Sequence, residues 1–188
     1  MKDSRFGSWT GIRLSLVIDK TGRPVGADGT SDSISNPEDR VEFLAQRALA
    51  DVIVTSSKTA LAEGYKASKY APIQIWTRNP DFSSAGMAQP ADAKPVSVVI
   101  SSDLSAVVRQ LKGKAVLLGS CLTLASAMNF AIDEIAVSVT NTDLTEVDTA
   151  VSHVKQALGL ADSEWLLQSK DQGVNSYVLL VRRGSPKP

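Results

Sequence analysis

The chain has 188 residues, 43% hydrophobic and 21% charged, and its 20 Lys+Arg balance 20 Asp+Glu for a formal net charge of zero. That length fits one domain with a real core, residues 1–10 and 184–188 being expected to fray. The charge balance and the absence of any basic run point away from nucleic acid or a membrane surface as partner. One cysteine excludes an internal disulfide and a multi-cysteine metal site, and one histidine, His153, argues against a histidine metal centre or a Ser–His–Asp triad, so no metal ligands are predicted.

No apolar stretch is long enough for a bilayer span, and the opening "MKDSRFGSWTG" lacks the apolar centre of a signal peptide, so a cytoplasmic protein is expected. In chain order, "IRLSLVID" (12–19) alternates, with Ile12, Leu14, Leu16 and Ile18 on one face and Arg13, Ser15 and Val17 on the other, the period of a strand. A long Gly-, Pro- and Ser-rich loop follows. Residues 36–50 read as a helix: Asn36 caps, Pro37 takes the first helical position, Glu38 and Asp39 suit the positive end of the dipole, and Val41, Phe43, Leu44 and Ala48 form its apolar stripe. Residues 51–56 form a β-branched strand, 57–65 a short helix ending at Gly64, and 72–78 a strand. After a loop over 79–94 come a strand at 95–101, a helix capped by Asp103 and running to Leu111, a strand at 114–120 and a helix at 122–131. A strand at 133–140 and a helix at 144–159 with Gly159 as its C-cap lead to a closing pair of strands, 164–169 and 176–183. Strands alternating with helices imply a three-layer α/β domain, its sheet mainly parallel with antiparallel strands at one edge.

In such sheets ligands bind outside the carboxyl ends of the strands. The positions to watch are therefore Asp19 onward, 55–59, 77–78, 101–102 and 119–123. The turns there are rich in small hydroxylated residues, which either offer hydroxyls and amides to a phosphate or simply cap the next helix. The turn "LLGSCLTL" (117–124) leads from strand to helix, and a helix N-terminus attracts anions. Cys121 in that turn is either a thiol of lowered pKa or a buried small residue.

Asp19, Asp28-Gly29, Ser31, Ile34-Ser35, Pro37, Asp39-Arg40, Phe43, the run 47–51, Thr59, Glu63 and Tyr65 fall into register with one pattern. It resembles the reductase half of the riboflavin-pathway deaminase/reductase proteins and their free-standing actinobacterial relatives. "GSCLTL", "IDEI" and "YVLLVRR" align with later segments of that family. The resemblance implies a dihydrofolate-reductase-like fold, NADPH as cofactor, a phosphorylated pyrimidine as substrate and a homodimer. It implies reduction of a ribosylamino to a ribitylamino side chain, with Asp19 as catalytic residue. Lys20, Ser35, Arg40 and Glu63 would bind substrate, and Thr55, Ser56, Thr59, Ser101, Gly119, Ser120, Cys121 and Thr123 the cofactor. Arg40 and Arg47, seven residues apart on one helix, share a side, from which either one reaches a substrate phosphate or both form surface salt bridges with Glu38 or Glu42.

The chain departs from that pattern where glycine is usual: Lys20, Ser56, Ser120 and Cys121 stand there, and Gly119 takes the place of a glutamate. Arg13 replaces an asparagine and Val17 a serine. A Cβ at each former glycine hinders the backbone's approach to a pyrophosphate. Two other readings therefore stand beside the reductase: a non-catalytic or repurposed member of the same fold, and a small-anion binding module.

Overall fold

The computed structural model describes residues 3–119, 121–142 and 144–184. Its strands are β1 (Gly11–Ile18), β2 (Val52–Ser56), β3 (Ile73–Thr77), β4 (Val96–Ile100), β5 (Ala115–Gly119), β6 (Ile132–Val139), β7 (Trp165–Gln172) and β8 (Ser176–Arg182). Its helices are α1 (Pro37–Leu49), α2 (Ser57–Ala62), α3 (Leu104–Arg109), α4 (Leu122–Ala127) and α5 (Leu144–Leu158). All eight strands join one sheet in the order β4-β3-β2-β5-β1-β6-β8-β7. β8 runs antiparallel to both β6 and β7, and every other pairing is parallel. The predicted mainly parallel sheet with an antiparallel edge is therefore what forms, and helices cover both of its faces.

On one face α3, α4 and α5 bring Val107, Leu111, Leu124, Met128, Val147, Val154 and Leu158 onto Ile12, Leu14, Leu16 and Ile18 of β1 and onto the inward residues of β5 and β6. The opposite face carries Ile53, Ile73, Ile75 and Leu117 beneath Trp9 and Ala60. Central strands buried on both sides read as near-continuous apolar runs, which is why β2, β5 and β6 are legible. Trp9, Trp76 and Trp165 are all core residues.

Two expectations are overturned. The segment before β1, expected to fray, is packed. Phe6 and Trp9 are buried, and Arg13 holds them. This arginine is 0% exposed. Its Nε and Nη2 donate to Glu134 Oε2 at 2.8 and 2.6 Å, its Nη1 to the Gly7 carbonyl at 2.9 Å and its Nη2 to the Phe6 carbonyl at 3.1 Å. The guanidinium also lies 4.2 Å from the Trp9 ring centroid. Arg13 and Glu134 oppose each other in the β1/β6 register with one offset at Ile12, so the pair fastens the sheet to the N-terminal segment. Residues 185–188 lie outside the described residues.

The second correction concerns α1. Its start is as predicted: Asn36 Oδ1 accepts from the Asp39 amide and Pro37 sits in the first turn. Its faces are reversed, however. Asp39, Glu42, Ala45 and Gln46 are buried, whereas Val41 and Leu44 remain 48% and 42% exposed. The reason is what the helix meets. Glu42 accepts from the Ser4 hydroxyl and the Arg5 amide of the N-terminal segment, and Asp39 accepts from the Ser35 hydroxyl. A polar inner face satisfies those donors where an apolar one would strand them.

Candidate functional site

The carboxyl edge of the sheet carries two separate hollows. The first, about 450 Å³, lies over the ends of β2, β3 and β4 and the start of α4. Ser56, Ser57 and Lys58 line it from β2 and α2, Trp76, Thr77 and Arg78 from β3, Ser101, Ser102 and Leu104 after β4, and Thr123 from α4. Three residues predicted for a cofactor, Ser56, Ser101 and Thr123, thus come together here. Lys58 and Arg78 are exposed at the rim, and neither forms an ion pair among the described residues.

The hydroxyls here are held by local structure. Ser56 caps α2 by accepting from the Thr59 amide, and the Ser57 hydroxyl donates to Thr77 Oγ1. Asp103 caps α3, and the Ser101 hydroxyl donates to its carbonyl.

The second hollow lies between α1 and the segment 63–70. Its larger chamber, about 640 Å³, is lined by Arg40, Phe43, Arg47, Glu63, Tyr65, Lys66 and Tyr70 among others. A smaller chamber of about 100 Å³ reaches inward between β1 and α1, past Ser15, Val17, Ser35, Asp39 and Gln46. The chambers share Ser31, Asp32, Arg40 and Phe43, so they form one cleft.

Asp39 is the buried carboxylate of the inner chamber. Burial pushes its pKa up, and the hydroxyls of Ser35 and Ser138 and the charge of Arg40 only partly counter that. Gln46 is 2% exposed and its Oε1 has no partner. The Arg47 guanidinium lies 5.1 Å from the Phe43 ring centroid and 5.8 Å from that of Tyr65. Its pKa is lowered by burial, it forms no ion pair among the described residues, and its Nε lacks an acceptor. A buried acceptor and a cation without a carboxylate are features that a ligand would satisfy.

The remaining predicted residues fall elsewhere or play other parts. Asp19 is not brought to either hollow. Its Oδ1 accepts from the Thr21 amide and hydroxyl and from the Arg23 amide, closing its own turn. Partial burial raises its pKa, but the Thr21 hydroxyl and the amides of Arg23 and Thr21 outweigh that and hold it below the ordinary carboxylate range. Three bonds to one oxygen are the work of a turn-forming aspartate, and the structure places the residue predicted as catalytic in its own turn and outside both hollows.

Lys20 is exposed on the same turn and lines none of these cavities. Arg40 lines the cleft and pairs with Asp32 at 2.7 Å. Glu63 also lines it, and its two oxygens accept from the Ser31 amide and hydroxyl, which anchors the loop to the cleft. Thr55 is fully buried and Thr59 is occupied in the α2 cap. Gly119 faces Tyr65, and Cys121 is 2% exposed with its thiol donating to Ser56 Oγ at 3.0 Å. Ser120 lies outside the described residues.

The long loop after β1 is ordered by local bonds and by three anchors. Besides Glu63 and Arg40, His153 Nδ1 on α5 lies 2.7 Å from the Thr21 carbonyl, to which it donates. Gly22 (φ +82°) is needed there because a Cβ would meet His153 and the Ala150 carbonyl.

The sheet order and the two hollows on its carboxyl edge define the class: the chain has the dihydrofolate-reductase-like fold. No family profile and no curated sequence matches it. Solved structures do. Enterococcus faecalis dihydrofolate reductase, complexed with NADP(H), aligns at 12% identity and a TM-score of 0.65 over 92% of this chain and 96% of that one.

Pyrimidine reductases align to a similar degree. A Thermotoga maritima diaminohydroxyphosphoribosylaminopyrimidine deaminase/5-amino-6-(5-phosphoribosylamino)uracil reductase aligns at 12% identity and a TM-score of 0.67, over 92% of this chain and 56% of its own. A pyrimidine reductase-like protein from Corynebacterium diphtheriae aligns at 12% identity and a TM-score of 0.61, over 92% of both chains. This chain thus spans little more than half the length of the Thermotoga protein.

Proposed function

We propose that the protein is an NADPH-dependent reductase of a phosphorylated, N–H-bearing ring compound of the aminopyrimidine class. The observation that carries this reading is the pairing of hollows on one sheet edge. One is ringed by hydroxyls with two free cations at its rim, and the other holds Asp39, Gln46 and Arg47.

The first hollow fits the adenylate half of the cofactor. Trp76 and Leu104 supply apolar surface, while Lys58 and Arg78 suit a phosphate. The cofactor, when bound, supplies a hydride. The second hollow takes the substrate: Gln46 Oε1 accepts an N–H from the ring, and Arg47 and Arg40 take the phosphate. Asp39, kept protonated further up the pH scale by burial, holds the proton that accompanies the hydride in a two-electron reduction.

Turnover of 5-amino-6-(5-phosphoribosylamino)uracil with NADPH, followed by nicotinamide absorbance, tests the reading. No NADPH binding at millimolar cofactor would end it. Arg78→Ala is expected to weaken NADPH by about tenfold while leaving NADH nearly unchanged, because a charge-assisted bond to the extra phosphate is lost. Equal losses for both nucleotides would remove Arg78 from phosphate recognition.

One observation favours the non-catalytic reading: the thiol of Cys121 and the ring of Tyr65 stand between the two hollows. Nucleotide binding without turnover of the pyrimidine would support it.

A further inference from the structure

We propose that Tyr65 is a gate: its side chain separates the two hollows, and its displacement from Gly119 joins them into one reactive cleft. The proposal rests on the reductase reading.

β5 lies between β2 and β1 in the sheet. The nucleotide hollow reaches β2 at Ser56, and the substrate cleft reaches β1 at Ser15. The strand end between them is Gly119, and the Tyr65 hydroxyl rests on it so closely that a Cβ at 119 would stand 2.6 Å away. Beside it the Cys121 thiol bridges to Ser56. The hollows on either side share no lining residue. Hydride transfer requires donor and acceptor within about 3–3.5 Å, which this partition prevents.

Of the parts of the partition, Tyr65 is the one outside the regular elements, and opening would draw its hydroxyl away from the buried Thr55 and its ring from the edge of the core. Gly119 belongs to the sheet, and Cys121 is enclosed in the core. Tyr65 belongs to no strand or helix, and its outer side already lines the large chamber. It follows Gly64 (φ +55°), where the amides of Gly64 and Tyr65 close the end of α2 onto the Leu61 and Ala60 carbonyls, so the movement is one of the side chain and not of the backbone. The Arg47 guanidinium beside the Tyr65 ring faces the same chamber. An anion drawn to Arg47 therefore competes with one of the contacts on the ring, which links substrate arrival to gate opening.

The test compares NADPH with adenosine 2′,5′-bisphosphate, the adenylate half alone, by calorimetric titration of the wild type, Tyr65→Ala and Tyr65→Leu. The wild type is expected to bind the two within about threefold of each other, since the nicotinamide half finds no seat. Either variant should gain about tenfold for NADPH and nothing for the bisphosphate. The ratio is taken on one protein sample, so partial unfolding does not move it, and Tyr65→Leu serves if the alanine variant does not fold. If NADPH already binds the wild type about tenfold more tightly than the bisphosphate, and neither variant changes the ratio, the gate is overturned while the reductase reading stands. If neither ligand binds the wild type, the reductase reading falls and the gate with it.

Discussion

Arg13→Ala is expected to lower the free energy of unfolding by about 3–5 kcal/mol, because it leaves Glu134 ionised and buried with nothing to answer it. The loss has a second component. Arg13 also donates to the carbonyls of Gly7 and Phe6 and lies against Trp9, so its removal frees the N-terminal segment. Phe6 and Trp9 then lose the contacts that bury them. Glu134→Ala should cost a similar amount. The double variant Arg13→Met with Glu134→Leu should lose much less than the sum, since it restores apolar contact and strands no charge. Urea denaturation of the four proteins measures this. A single-variant loss below about 1 kcal/mol would mean that the pair is solvated and the N-terminal segment loosely held.

Asp39→Asn is expected to act in opposite directions on stability and on activity. Asp39 carries a raised pKa because burial disfavours its ionised form. The native state therefore binds a proton more tightly than the unfolded chain at this site. Stability falls as pH rises from the unfolded value of 3.8 through the raised native value, and above it the cost of the buried charge is fully present. Asparagine is nearly isosteric and carries no charge. The variant should be more stable than the wild type by at least about 1 kcal/mol at neutral pH, and the advantage should vanish below the ordinary carboxylate range. Activity should fall by about 100-fold or more, because the amide cannot deliver the proton. Thermal melts across pH together with turnover measurements check both halves. A stability difference independent of pH would show that the carboxyl is not titrating in a buried site.

What the sequence reveals here follows from which signals are local. β1, β2 and β6 were legible because alternating or β-branched apolar runs declare a strand without any knowledge of its neighbours. The start of α1 was legible because Asn36 and Pro37 act on the adjacent backbone. Its orientation was not, since capping and periodicity say that a helix forms but not what it will face. Asp39 was passed over for the same reason: an acidic residue in the first turn is already explained by the helix dipole. Asp19 drew attention by its place in a motif, while the turn chemistry it performs depends on Thr21 and Arg23. Lys58 and Arg78 lay within the strand-end windows 55–59 and 77–78, but as exposed cations of ordinary kind they were not singled out until the fold set them at one rim. Ser56, Ser101 and Thr123 were legible because hydroxyl-rich turns at strand ends are where such a sheet collects ligands. The burial of Ser4, Phe6 and Trp9 left only a faint trace, two aromatic residues without periodicity.

On the proposed function, the hollow over β2, β3 and β4 seats the adenylate half of NADPH. A crystal structure of the protein grown with saturating NADPH tests it most directly. The account predicts a phosphate between Lys58 and Arg78 and the adenosine against Trp76 and Leu104. Nucleotide density in the Arg47 cleft instead, or none in either hollow, would contradict it.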